Sequence, residues 1–487
     1  MVIKKVIMIR EHIKYIYSTL KSQFSLLRFC TRLPQWMICI AVVVLSGCAS
    51  YYAKNIKLYR SIETGQFEAA DKLLDQDKKR PNNRNRLLYY LDRGYVSWMR
   101  NNYLQSVEHL NIAENIIDDY SINLGAEALA LVSNPMMKPY RAEDFEVVMV
   151  NCFKAINFMQ LGNFEAAMVE CRRINLKLNA LNDKYPRHKN RYSNDAFAHT
   201  MMGLLYDSNG DNNNAFIAYR NALEIYETDY AKNFNIQPPQ QLKLDILRTA
   251  YLTGFGDELN FYERKFGMKY TPAQKPDAEM IFFWMNGFCP VKDEMSINFA
   301  IVRGVGGMVT FVNEREGFSF PFFLGSSSEK DALSNLKLIR VAFPKYVERK
   351  PTSVSAVITS GSASYPLQPV QDINAIAFKT LQDRFMREMA NSLLRVALKQ
   401  ALEEATRSKD KNMGVIFSIL NAATEKADTR NWQCLPHGIS YTRIPLVAGE
   451  NHLTLNVKMQ KNKIVSSDVS LVAQKGNTYF HAFHTLN

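Results

Sequence analysis

A chain turn recurs in the first half of this sequence, each time between two stretches whose apolar residues fall three or four apart. Its four copies are Gly65-Gln66-Phe67, Asn101-Asn102-Tyr103, Gly162-Asn163-Phe164 and Gly210-Asp211-Asn212. Three residues after each copy stands a small side chain, followed four residues later by a larger one; the pairs are Ala70 and Leu74, Ser106 and Leu110, Ala167 and Cys171, and Ala215 and Tyr219. Small residues let neighbouring helix axes approach, so this spacing predicts a series of helical hairpins.

Small residues before the turns complete the pattern. Gly94, Ala155 and Gly203 occupy matching positions, and the best copy is DAFAHTMMGLLYDSNGDNNNAFIAYRNALEIYE at 195–227. This segment resembles the tetratricopeptide repeat, which implies a helical solenoid whose concave groove binds a peptide or protein. The alternative is that the repeats serve as a spacer or as a packing partner for the second half. A further hairpin at 241–267 is expected to cap the stack, because a solenoid must cover its last apolar face.

Two breaks interrupt this helical pattern. The first is an insertion at 124–144 in the widest gap between turns, and the second is TPAQKP at 271–276, after which short β-rich runs replace the helical spacing. A long helix is then expected at about 373–407, where apolar residues fall mostly three to five apart, and a second helix at 412–426. Strands, helices and again strands predict an α+β domain, an antiparallel sheet or sandwich with the helices against one side.

The most apolar run of the chain lies near its N-terminus. WMICIAVVVLS at 36–46 is too short to span a bilayer, which needs about 20 helical residues, but it has the length of a signal-peptide core. Basic residues precede it, and a Ser-Gly pair comes directly before Cys48. This order resembles a bacterial lipoprotein signal, which implies that residues 1–47 are removed and that Cys48 carries lipid. The alternative is that Cys48 is an ordinary core residue.

The residues after the lipidation position bear on the compartment. Neither of the two that follow Cys48 is an aspartate, which in such signals favours the outer membrane of a Gram-negative cell. A location facing the periplasm is preferred over the cell exterior. A lipid anchor of several acyl chains would hold the protein on the membrane without spanning it.

The length of the chain limits the number of domains, and its charge distribution limits the class of partner. At 487 residues the chain exceeds one ordinary core, and the expected parts are a signal segment at 1–47, a repeat domain at 48–270 and an α+β domain at 277–487. The net charge is +13, but seven basic residues and one acidic residue precede Cys48. The remaining basic residues are interspersed with acidic ones, which argues against a nucleic-acid partner.

The cysteines give no sign of a metal site. Cys152, Cys171, Cys289 and Cys434 lack the paired close spacing of zinc ligands. Cys152 and Cys171 are either buried thiols or a disulfide across one helical hairpin. We expect no metal and no cofactor.

Catalytic candidates are few. Cys289 with His437 or His452 would supply a nucleophile and a base, the basis for an alternative function as an envelope hydrolase acting on cell-wall or exported polymers. The run Lys292-Asp293-Glu294 is interpreted as a solvated turn rather than a metal site. RGVGGM at 303–308 lacks the Lys-Ser/Thr ending of a phosphate loop and is interpreted as a hairpin turn.

Two further groups of polar residues are expected to be structural. His481 and His484 lie three apart in a predicted strand and therefore point to opposite faces, which argues against joint metal ligation. Ion pairs are expected among the charged residues of the long helix, since charges three or four apart meet on one helix face. These residues are Asp372, Asp383, Arg384, Arg387 and Glu388.

Several segments together carry a resemblance over nearly the whole mature chain. They are NGFCPVKDEMSINF (286–299), RVAFPKYVERKP (340–351), DINAIAFKTLQDRFMRE (372–388) and DTRNWQCLPHGISYTRIPL (428–446). The chain resembles an uncharacterised family of bacterial tetratricopeptide-repeat envelope lipoproteins, in which such repeats precede such a domain. The resemblance implies no catalytic residues. The favoured function is a non-enzymatic, outer-membrane-anchored scaffold or assembly factor whose repeat groove binds an unidentified envelope protein.

Overall fold

The structure of the protein is a computed structural model. It describes residues 51–122, 136, 138–183, 192, 194–272, 274–305, 308–323, 338–407 and 426–486. Cys48 and the signal-like segment lie outside the described residues, as do most of the insertion at 124–144 and all but the last residue of the helix expected at 412–426. Residues Asn55–Asn487 form one compact unit, and a second unit covers Met1–Lys54.

Helical hairpins follow one another through the first half of the described chain, as the recurring turns predict. They pair α1 (Tyr51–Glu63) with α2 (Phe67–Gln76), α3 (Arg86–Met99) with α4 (Tyr103–Ile122), α5 (Asp144–Gln160) with α6 (Phe164–Asp183), and α7 (Ala196–Ser208) with α8 (Asn212–Ile225). After the short helix α9 (Ala231–Phe234), the predicted capping hairpin is formed by α10 (Gln240–Leu252) and α11 (Gly256–Phe266).

The same backbone conformation reverses the chain in every hairpin. The turn residues have φ between 59° and 77°, the left-handed region that favours glycine or asparagine, and they are Gly65, Asn101, Gly162, Gly210 and Gly254. The close approach of helices is also confirmed. A Cβ atom on Gly203 would lie 2.3 Å from the ring of Tyr219, and one on Gly94 would lie 2.6 Å from Leu110.

Strands dominate the second half. They are β1 (Ala278–Asn286), β2 (Val291–Arg303), β3 (Met308–Asn313), β4 (Phe318–Phe323), β5 (Leu338–Val347), β6 (Ser353–Ser360), β7 (Ala363–Pro366), β8 (Gln368–Asp372), β9 (Gly438–Leu446), β10 (Gly449–Met459), β11 (Ile464–Ala473) and β12 (Thr478–Thr485). The long helix α12 (Ile373–Arg407) has the predicted bounds and lies between β8 and β9 in the sequence.

These strands form four-stranded sheets with three strand orders. We call β12-β1-β9-β8 the inner sheet, β11-β10-β6-β7 the outer sheet and β4-β3-β2-β5 the helix-backed sheet. The prediction of antiparallel pairing is wrong at one place, because β1 and β12 are parallel. The last strand returns beside the first one after the chain has built the other two sheets, a long connection of the kind that parallel pairing requires.

The inner sheet lies between two apolar layers. On one face Met280, Phe282 and Trp284 of β1 pack with Leu453 and Leu455 of the outer sheet. Residues on the other face of β1 are also buried, and Phe283 there meets Phe197 of α7 with ring centroids 5.8 Å apart. Burial on both faces explains why β1 reads as a continuous apolar run, EMIFFWM, rather than an alternating one.

The long helix covers a separate core. Its residues Phe385, Met389 and Leu393 pack against Phe299 and Phe343 of the helix-backed sheet. This confirms the buried stripe predicted for α12. Among the described residues, no helix combines the length and apolar character needed to cross a membrane.

Candidate protein-binding groove

The predicted binding surface is the inner face of the repeats, formed by the first helix of each hairpin. In the structure this face packs against the inner sheet of the same chain. Tyr95 of α3 donates a hydrogen bond to Nδ1 of His484 in β12 (2.8 Å), and His484 Nε2 donates to the carbonyl of Gly287 (2.6 Å). Acceptance of the Tyr95 hydrogen bond at Nδ1 requires the neutral ring, and burial lowers the pKa of His484 to about 4.

A connecting segment at 427–437 lies across the same face. Arg430 is 1% exposed, and its guanidinium donates to the side chain of Asn85 (3.0 Å) and to the carbonyl of Lys138 (3.1 Å). It also lies over the ring of Tyr140, 5.4 Å from the centroid. This segment, which we call the groove segment, therefore occupies part of the surface that was predicted to receive a partner peptide.

The middle of the groove segment contacts α3 and α5. The Trp432 backbone N–H donates to Glu146 (2.6 Å), its ring lies 5.6 Å from that of Phe153, and the Cys434 thiol donates to Asp92 (3.6 Å). Trp432 is fully buried. These contacts combine an aromatic anchor with buried polar groups, as at the centre of a protein interface, although both partners here belong to one chain.

The start of α5 forms the first ionic junction between the two halves. Glu143 contacts Lys292 of β2 and Arg384 of α12, and all three side chains are largely buried. Burial by itself would raise the pKa of Glu143, but Arg384 and Lys292 outweigh it and hold this pKa at about 2. We call this set, together with Glu146, the α5 junction.

Glu146 in the same junction makes no ion pair with any of the described residues, although the charge of Lys292 acts on it at longer range. It accepts hydrogen bonds from Tyr140, from the Glu143 N–H (2.9 Å) and from Trp432. Burial and the neighbouring charge of Glu143 raise the pKa of Glu146 to about 7, although these hydrogen bonds oppose the shift. The pKa of Glu143 therefore lies below the ordinary glutamate value of 4.5, and that of Glu146 lies above it.

A second junction is centred on Arg443 of β9. Its guanidinium reaches Asp207 of α7 (2.6 Å), Asp245 of α10 (3.1 Å) and Glu279 of β1 (2.5 Å). Arg248 of α10 also bonds Asp207 (3.0 Å). Burial opposes ionisation of Asp207, but the two arginines lower its pKa to about 2, and we call this set the Arg443 junction.

A third polar contact joins α7 to β8. Asp195 is fully buried at the start of α7, where it accepts from the Ala198 N–H (2.7 Å) as an N-cap. Its second oxygen accepts from the side chain of Gln371 (2.9 Å) and from Tyr192. One side chain thus caps a repeat helix and binds the inner sheet.

Sequence reasoning missed these carboxylates as a group. Each has a largely buried side chain in contact with the second half, and they are Asp92, Glu146, Asp195, Asp207 and Asp245. A signal for them exists, because Asp92 in LLYYLDRGYV and Asp245 in LKLDIL interrupt apolar helical stripes. An acid at a core position needs a buried partner. For Asp245 that partner includes Arg443 of the second half, whereas Asp92 pairs with Arg80 of the first half.

The catalytic candidates are not brought together. The Cys289 thiol donates to the Trp432 carbonyl (3.3 Å), and burial raises its pKa to about 12. His437 bonds Glu348 (3.0 Å), and His452 bonds Ser470 (3.1 Å). Within the described residues, therefore, no thiol–imidazole pair links Cys289 to either histidine. Cys152 and Cys171 are free buried thiols.

The remaining candidates have structural contacts. The interpretation of Lys292-Asp293-Glu294 as a turn is wrong, because these residues lie inside β2 and pair with β5. Lys292 contacts Glu143 in the α5 junction. The glycine-rich run between β2 and β3 joins two antiparallel strands, as expected for a hairpin. Among the described residues no group of three or more potential ligands is placed to hold a metal ion.

The charged residues of the long helix serve its start and its packing. Asp372 accepts from the Ala375 N–H (2.7 Å) and so caps the helix. Arg384 pairs with Glu388 one turn later (3.5 Å) in addition to Glu143. The expected ion pair within the helix is therefore present, and the same arginine also joins the long helix to the repeats.

No protein-family model and no curated protein matches this chain. Among solved structures, it is 15% identical to the apo form of RapI, over 44% of this chain and 68% of that chain, with a TM-score of 0.31. It is 18% identical to MamA over 44% of this chain and 94% of that chain, with a TM-score of 0.27. It is 14% identical to a Podosopora anserina putative kinesin light chain with nearly identical TPR-like repeats, over 43% of this chain and 90% of that chain, with a TM-score of 0.28. Since these TM-scores lie below 0.5, the repeat assignment depends on the turns and helix contacts of the chain itself.

Proposed function

We propose that this protein is a non-enzymatic scaffold or assembly factor of the bacterial envelope, held on the outer membrane by lipid on Cys48 and facing the periplasm. One observation carries the scaffold assignment. The repeats and the sheets are joined through buried ion pairs within one compact unit, in which Cys289 makes a structural contact instead of pairing with His437 or His452.

The occupied inner face changes where a partner binds. A partner peptide in the groove would have to displace Trp432 and break contacts of Glu146 and Asp92, all of which are fully buried. Asp92 would keep its contact with Arg80 (2.8 Å) and Glu146 its hydrogen bond from Tyr140, but losing a hydrogen bond to a buried carboxyl group still costs about 1–3 kcal/mol. The scaffold therefore engages its partner through surfaces outside the groove, and the repeats act chiefly as a packing partner for the inner sheet.

Photo-crosslinking in intact cells tests this function. A photoreactive amino acid is placed singly at exposed positions, such as Leu104 or Leu176 on the repeats and Val472 on the outer sheet, and at Trp432 as the groove position. We expect specific protein adducts from at least one exposed position and none from Trp432. Adducts from Trp432 alone would contradict the occupied groove, and adducts from no position would contradict the scaffold.

The anchor is tested on the same cells. Cys48→Ser should abolish lipid attachment, detected as a loss of acyl mass on the N-terminal peptide, and should release the protein from the membrane fraction. Resistance of the wild-type protein to protease added to intact cells, with digestion after the outer membrane is opened, would support the periplasmic side. Digestion in intact cells would place it outside.

A further inference from the structure

Strand β11 forms a free edge of the outer sheet. It runs for ten residues, Ile464–Ala473, and pairs with β10 on one side along its whole length, with no register shift. Within the described residues, no strand pairs with its other side. Natural edge strands are usually shortened, bulged, broken by proline or charged; β11 is long, regular and free of proline, and Asp468 is its one charged residue.

The backbone groups on the free edge can be assigned. Met459 N–H donates to the Lys463 carbonyl (2.7 Å), which makes this pair a hydrogen-bonded one in the β10–β11 hairpin. Hydrogen-bonded and non-bonded pairs alternate along an antiparallel ladder. Every second residue of β11 therefore directs its N–H and carbonyl away from β10, and these are Ile464, Ser466, Asp468, Ser470 and Val472.

The same five residues place their side chains on the exposed face. Ile464 is 62% exposed and Val472 is 67% exposed, one at each end of the row. The three between them are held by hydrogen bonds to β10: Ser466 to Asn456 (2.7 Å), Asp468 to Thr454 (3.0 Å) and Ser470 to His452 (3.1 Å). The edge therefore presents open backbone groups beside an ordered row of side chains.

The order of residue types in this row is symmetric about Asp468. This symmetry distinguishes a second copy of the chain from a different partner as the strand that pairs with β11. The row reads apolar, hydroxyl, acid, hydroxyl, apolar in both directions. If a second copy paired antiparallel in the matched register, Ile464 would meet Val472 and Ser466 would meet Ser470, but Asp468 would meet Asp468 of the other copy. Like charges directly opposite are destabilising, whereas opposite charges stabilise a cross-strand pair.

We propose that β11 binds an extended strand of a partner protein by β-strand addition, with a basic residue opposite Asp468, hydroxyl residues on either side of it and apolar residues opposite Ile464 and Val472. The backbone supplies the hydrogen bonds and the side-chain row supplies the specificity. This inference rests on the proposed scaffold function, for which it names the partner chemistry.

A matched pair of synthetic peptides tests the proposal. One peptide, IVSSKVSLVA, copies β11 with lysine at its centre, and the other, IVSSDVSLVA, keeps the acid; both carry blocked ends and a fluorophore. Binding to the full-length protein in detergent is measured by fluorescence anisotropy at pH 7.5. We expect the lysine peptide to bind about tenfold more tightly, equivalent to about 1.4 kcal/mol, since it exchanges a like charge for an opposite one in a cross-strand pair.

Variants of the protein separate charge from backbone pairing. Asp468→Lys should reverse the peptide preference, and Ser466→Pro should weaken both peptides, because it removes an outward N–H that the fold does not use. Asp293→Lys makes the same charge change on the exposed part of β2 in another sheet and should leave both affinities unchanged. Thermal unfolding of each variant confirms that it is folded.

Three results would overturn the edge site. They are equal binding of the two peptides, a preference that survives Asp468→Lys, and dimers of the wild-type protein at pH 7.5 that Ser466→Pro dissociates, because such dimers would make a second copy the occupant. If neither peptide binds but photo-crosslinking in cells still gives protein adducts, the edge site is contradicted and the scaffold function is not. Peptide binding without cell adducts contradicts the scaffold alone.

Discussion

The α5 junction and the Arg443 junction join the repeats to the sheets in different ways. In the α5 junction both cations contact Glu143, and among the described residues the donors to Glu146 are uncharged. In the Arg443 junction one arginine reaches three carboxylates. The comparison indicates that Arg443, assisted by Arg248, holds Asp207 of one junction in its charged form, whereas the other junction contains a carboxyl group that the fold favours in its neutral form.

The largest effect is expected from Arg443→Met. Removing the central cation leaves Asp207 and Asp245 buried with Arg248 alone, and breaking a buried ion pair by removing one partner costs about 3–5 kcal/mol. The free energy of unfolding should fall by that amount in urea titrations. Arg315→Met is the control, because that side chain is 92% exposed and its removal should change stability by less than about 0.5 kcal/mol. A similar small loss for Arg443→Met would show that the junction does not depend on its central cation.

Glu146→Gln tests the neutral carboxyl group of the α5 junction. The pKa of Glu146 rises from 4.5 to about 7 on folding, so this group adds stability that is complete below pH 4.5 and is lost as the pH rises through 7. The loss for a shift of this size is about 3 kcal/mol. Unfolding measured at pH 5 and pH 8 should show less pH dependence in Glu146→Gln than in the wild type, while the exposed control Glu258→Gln should match the wild type. An unchanged pH dependence in Glu146→Gln would contradict the assignment.

A smaller effect is expected from Gly203→Ala, which acts inside the repeats and reaches the Arg443 junction indirectly. The new methyl group would lie 2.3 Å from the Tyr219 ring, whose hydroxyl donates to Asp207 (3.1 Å). Overpacking of this kind costs about 1–3 kcal/mol. Gly256→Ala is the control, since beyond its chain neighbours and its own helix backbone no atom lies within 4 Å of the position that its new methyl group would take. Equal stability of the two variants would show that the close approach of α7 and α8 is not needed.

The sequence predicted the helices and strands better than it predicted how they pair and pack. The turns at Gly65, Asn101, Gly162 and Gly210 were identified because a left-handed turn and a small residue at fixed spacing are local features. The long helix was placed with its observed bounds for the same reason. The parallel pairing of β1 with β12 was missed, because no local pattern reports which strand a chain returns to after nearly two hundred residues.

The candidate site shows the same division. A groove was predicted from the repeats, and its helices are present, but the partner that fills it belongs to the same chain. Asp207 and Arg443 lie 236 residues apart in the sequence, and Glu143 and Arg384 lie 241 apart. Neither pair has a spacing that sequence periodicity detects, although the buried acids left a weak signal on their helices.

The sequence by itself determined the helical hairpins, the strands and the long helix, because turn geometry and apolar periodicity act over a few residues. The tertiary structure decided that the inner face of the repeats packs against the inner sheet and does not form an open groove. The physical reason is that an acid in an apolar helical stripe needs a partner on burial. Arg80 and Arg248 of the repeats supply part of it, and Arg443, Lys292, Arg384 and the Trp432 N–H of the second half supply the rest.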